Sequence, residues 1–148
     1  MSFEELMKGF AGRIGAEELE ADADGVRRVA VDDLVLYFRE VPESDEVLTW
    51  TGVCEPPPGA GEQLYRILLE AQFMGQATQG CVLSLEAESG LVHLHRLDPM
   101  KLQDVDRFFA STEKFVDTAQ HWKELIGNFR AGPAADERSA VPEDFLRV

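Results

Sequence analysis

Cysteine is scarce in this chain: Cys54 and Cys81 are the only 2 in 148 residues. That is too few for a disulfide framework, so an apolar core must hold the fold and the thiols are expected to stay reduced. Positive charge is scarce as well. The 14 Lys and Arg stand against 28 Asp and Glu, a net charge of −14. Phosphate binding needs clustered Lys and Arg, so this balance argues against nucleic acid as a main partner, and against an anionic membrane surface for the same reason. Long apolar runs are missing too. Stretches such as Val29-Ala30-Val31 and Leu34 to Phe38 are far too short to cross a bilayer. The start, Met-Ser-Phe-Glu-Glu, has neither the basic beginning nor the apolar stretch of a secretory signal, so a cytoplasmic protein is expected.

What is present suffices for one globular domain with a modest core, since 45% of residues are hydrophobic. Ser2 and Glu5 have capping-box spacing, and Phe3, Leu6, Met7, Phe10 and Ile14 recur at helical steps up to Gly15. Gly9 and Gly12 weaken that helix by about 1 kcal/mol each. Strands follow over 26–31, 34–41 and 47–53, linked by Asp32-Asp33 and by Pro42 to Glu46. Three strands with short polar links read as an antiparallel meander, ended by Pro56-Pro57-Pro58-Gly59.

The next helix, over roughly 61–74, has two apolar faces. Leu64, Ile67, Leu68, Ala71 and Met74 share one; Tyr65, Leu69 and Phe73 form the other. One stripe suffices to cover a sheet. The second face could pack on another helix of the chain, but in so short a chain a second subunit is the favoured reading. Strands over 81–85 and 91–97 with a Ser89-Gly90 turn form a hairpin, and Asp98-Pro99 opens a long last helix to about residue 127. Residues 130–148 lack periodicity and are expected to be a disordered tail after a domain over 1–129, although Phe145-Leu146 offers apolar side chains. The order α-β-β-β-α-β-β-α gives an α+β fold with an antiparallel five-stranded sheet and three helices.

Chemistry-bearing patterns are thin. His93 and His95 share a strand face, but two ligands make no metal site, and His121 lies far along the last helix. Gly75 to Gly80 lacks the Gly-Lys-Ser/Thr of a phosphate loop and precedes a strand. Neither cysteine has a basic neighbour in sequence. No enzyme, cofactor or metal is expected; a binding protein is. Apolar surface on the first helix and the outward strand faces, with Tyr37, Trp50 or Leu94, could hold an extended peptide by strand addition.

Three stretches resemble the class I type III secretion chaperones, the Tir-chaperone-like family. They are Gly15-Ala16-Glu17-Glu18-Leu19 leading through Asp24-Gly25-Val26; Leu68-Leu69-Glu70-Ala71-Gln72-Phe73 followed by Thr78-Gln79-Gly80-Cys81-Val82-Leu83; and Gly90-Leu91-Val92-His93-Leu94, then Arg96-Leu97 and a helix ending near His121-Trp122. The family typically has Asn where Gln72 stands. The resemblance implies a cytoplasmic homodimer in a Gram-negative bacterium. It would bind the N-terminal segment of a secreted effector, keep it extended and soluble, and present it to the secretion machinery, the apparatus ATPase included. It also implies dimer contacts at Tyr65, Leu69, Phe73, Cys81, Leu83 and Leu85, and effector contacts at Phe3, Leu6, Phe10 and Trp50. Two alternatives stay open: an adaptor of the same fold binding a folded regulator, and a metal-assisted hydrolase using His93 and His95.

Overall fold

Ser2 starts the first helix, α1 (Phe3–Arg13), in the way its spacing predicts. Its hydroxyl accepts from the Glu5 amide at 3.2 Å, and Glu5 Oε2 accepts from the Ser2 amide at 2.7 Å. The fold is taken from a computed structural model that describes residues 1–132. The tail expected over 130–148 lies outside the described residues from 133 onward. After α1 come β1 (Arg27–Val31), β2 (Leu34–Val41), β3 (Glu46–Cys54), α2 (Gly61–Ala71), β4 (Val82–Leu85), β5 (Val92–Pro99) and α3 (Val105–Asn128). The five strands form one antiparallel sheet in the order β1-β2-β3-β5-β4. This is the expected α+β architecture.

Contacts divide the described residues into two compact units, Met1–Thr51 with His95–Val116, and Gly52–Leu94 with the described residues from Asp117 on. In the first unit, register fixes the faces. Phe38 opposes Thr49 and Leu36 opposes Thr51, all four buried, whereas Tyr37 opposes Trp50 on the other face. The buried face meets the apolar stripe of α1. Phe10, Phe38 and Phe108 form an edge-to-face cluster with ring centroids 5.3 to 5.6 Å apart. Arg27, buried in β1, donates to the Leu19 carbonyl and to both Glu4 oxygens at 2.6 Å, tying α1 and the following loop to the strand. That loop also bridges Ala21 to Arg27 on the side of β1 away from β2.

The start of α3 differs from expectation. Asp98 is held by Arg96 at 2.7 Å and Pro99 ends β5; a three-residue 3-10 turn, Met100–Leu102, follows, so this pair does not open α3. Asp104 does: its Oδ1 accepts from the Arg107 amide at 2.8 Å. Arg96 also donates to Ser111 and Thr112 and lies over the Phe115 ring, fastening β5 to α3. In the second unit, Leu64, Leu68 and Ala71 of α2 are buried, as are Leu83, Val92, Ala119 and Trp122. The Trp122 indole N–H donates to the Ala77 carbonyl at 3.1 Å and anchors the loop after α2.

Candidate functional site

In the second unit, α2 presents its second face outward. Leu69 is 70% exposed and Phe73 76%, with Tyr65 also exposed on the same row. Met74 departs from the expected core face. It takes a left-handed φ of +58° where the helix ends in a short 3-10 turn, and its side chain is 77% exposed. Gly75 follows at φ +67°, with a Cβ there 3.3 Å from the Gly80 Cα, so the loop closes only with glycine. Gln72 joins the helix to the sheet: its Oε1 accepts from the Leu83 amide at 2.9 Å.

Burial divides the β4 candidates. Leu85 is exposed beside Val82, but Cys81 is 7% and Leu83 5% exposed. Those two therefore pack within their own chain, while Val82 and Leu85 are exposed. Tyr65, Leu69, Phe73 and Met74 expose apolar surface along α2 and the turn that ends it, and Val82 and Leu85 are exposed on β4.

In the first unit the α1 candidates need correction as surface residues. Phe3, Leu6 and Phe10 are all buried, because the stripe that the sequence reveals is the one this helix lays on its own sheet. Trp50 is half-buried on the opposite sheet face, stacked on Tyr37 with centroids 5.3 Å and planes 17° apart. Leu94, grouped with the outward residues by sequence, is fully buried.

The possible reactive groups are tied into local structure. His93 is half-buried with Nε2 3.2 Å from Glu86 Oε2, and Glu86 is held below the usual carboxylate range chiefly by the Ser89 hydroxyl. His95 shares its strand face, as spacing predicts. Among the described residues no group of three or more His, Cys, Asp and Glu could hold a metal ion. Burial pushes the Cys54 thiol up, with Lys123 opposing, so it stays protonated at neutral pH. Among the described residues no helix is long and apolar enough to cross a membrane.

Comparison with known proteins agrees with this architecture. In solved structures, a chain in the ExsC–ExsE complex matches with a TM-score of 0.73 at 22% identity, covering 83% of this chain and 92% of that one. A chain of the HopA1–SchA chaperone–effector complex matches at 0.65 and 18% identity, covering 84% and 91%. The Yersinia pestis type III secretion chaperone SycH, crystallised with a fragment of YscM2, gives 0.64 at 19% identity, covering 80% and 97%. No curated protein matches in sequence. The family model described as Tir chaperone protein (CesT) matches residues 5–123, and with that span, this element order and this sheet, the chain belongs to the CesT family.

Proposed function

We propose that this protein is a type III secretion chaperone: it holds the N-terminal segment of an effector extended and soluble and hands it to the secretion machinery. One observation carries the reading beyond family membership. A chain of net charge −14 exposes Leu69, Phe73 and Met74 almost completely on one helix and the loop it enters. Soluble proteins rarely leave so much contiguous apolar area without a protein partner. The HopA1–SchA structure is a chaperone–effector complex, the kind of assembly the reading requires.

The α2 and β4 surface is assigned to a second copy of the chain, in a two-fold dimer in which Leu69 and Phe73 meet their equivalents. The client is assigned to the other unit, where the outward sheet face offers Trp50 and the outer side of β1 beyond its bridge to Ala21 offers backbone for strand addition. The acidic surface keeps the loaded complex dispersed in the cytoplasm. The secretion ATPase is the receiving partner this reading implies.

Co-expression with the N-terminal fragment of a secreted-type protein encoded beside it tests the proposal. The expected result is a stable complex on size exclusion, with the fragment soluble only when the chaperone is present. A fragment equally soluble alone, and eluting separately, would overturn it.

A further inference from the structure

The chain that leaves α3 is led back to α2. At the end of α3 the Arg130 guanidinium donates to the Gly127 and Phe129 carbonyls, the latter at 2.8 Å. Two residues on, the Gln63 carboxamide holds the backbone of Gly132 with two hydrogen bonds. Its Nε2 donates to the Gly132 carbonyl at 3.0 Å, and its Oε1 accepts from the Gly132 amide at 2.8 Å. Gln63 lies in the first turn of α2, so the clasp sets the chain down at the start of the helix that exposes Leu69 and Phe73. In the sequence beyond it, residues 133–148, Phe145-Leu146 is the one adjacent pair of large apolar residues.

We propose that Phe145-Leu146 docks on Leu69 and Phe73 of its own chain and covers the α2 face until a second copy displaces it. The inference rests on the dimer assigned to that face and adds the device that regulates it. Reach and tethering select this occupant. From Gln63, Leu69 and Phe73 lie about 9 and 15 Å along the helix and roughly a quarter to a third of a turn around it. Phe145 stands thirteen residues past Gly132, and an unconstrained chain of that length spans about 20 Å on average. The target falls within that span, where a tether supplies a local concentration on the order of millimolar. Charge keeps the contact weak. Glu62 and Glu70 stand on the same helix, Arg66 is already paired with Glu70 at 2.8 Å, and Glu143 and Asp144 precede the apolar pair. A displaceable cover needs that weakness. Its effect on assembly is squared, because both copies must be uncovered before their faces meet: a segment docked about two-thirds of the time weakens the dimer about tenfold.

Variants of the whole chain test this. Phe145→Ser/Leu146→Ser removes the cover and leaves every described residue in place. In sedimentation equilibrium over a dilution series it is expected to tighten the dimer about tenfold or more. Phe145→Trp is read by acrylamide quenching at a dilution where the chain runs as a monomer, the signal of Trp50 and Trp122 being subtracted with the unaltered chain. The added indole is expected to be shielded, and Leu69→Ser in the same chain to expose it. An unchanged dissociation constant in Phe145→Ser/Leu146→Ser overturns the proposal. So does a weaker dimer, which would give the segment to the partner copy, or an unaltered dimer too tight to dilute apart. An added indole fully open to quencher in the monomer overturns it too. Failure of the dimer reading looks different: the unaltered chain and the double variant both stay monomeric at every concentration, and quenching alone then decides whether the segment docks.

Discussion

Two glycines in α1 look alike in sequence and have opposite roles. A Cβ at Gly9 would run into the Val105 Cγ2 methyl at the start of α3, while nothing lies within 4 Å of one at Gly12. Val105 is β-branched and stiff in a helix, so it cannot swing aside cheaply. Gly9→Ala is therefore expected to lose about 1–3 kcal/mol in urea unfolding despite its better helix propensity, and Gly12→Ala to gain up to about 1 kcal/mol. Equal effects at the two sites would refute the close approach. Glu5 supplies a pH signature at the same helix end. Hydrogen bonds from the Ser2 amide and then its hydroxyl hold this carboxylate below its ordinary 4.5. The folded value is the lower one, so the contribution is complete above the ordinary value and is lost as pH falls through the folded value. Glu5→Gln should flatten that part of the acid limb in a stability-against-pH series.

At the scale of elements, α2 is the one whose environment decides the assembly. Leu69→Glu places a carboxylate at the centre of the proposed contact; burying it unpaired costs several kcal/mol, once from each copy. The variant is expected to run as a monomer in light scattering, and an unchanged dimer would move the contact to another face. Asp104→Ala removes the α3 cap seen at the Arg107 amide and should cost about 1 kcal/mol in thermal unfolding. Much of this layout was legible because alternation and helical spacing report burial directly: β2 runs over Leu34–Val41 as its pattern implies, and the capping box at Ser2 closes as spaced. The misreadings have separate causes. Asp98-Pro99 resembles a helix start, but Arg96 takes the carboxylate. Phe3, Leu6 and Phe10 look available until the sheet beneath them is in place. Cys81 and Leu83 are covered within their own unit, although Leu85, in the same phase, is exposed at the end of the strand. Met74 could not be foreseen, since a left-handed methionine is imposed by the loop closing behind it.

For the whole molecule, the assignment of α2 to a second copy requires a particle of twice the 16.5 kDa chain mass at micromolar concentration; a stable monomer there would contradict it. The sheet has its own asymmetry. Of its two outermost strands, β1 carries a bridge from Ala21 to Arg27 on its far side. That bridge occupies the first rung and leaves the rest of a five-residue strand unclaimed. A guest polypeptide laid along this margin would meet a built-in stop at one end. Its alignment would then be dictated by the host, so clients of unrelated sequence could be threaded to the same depth.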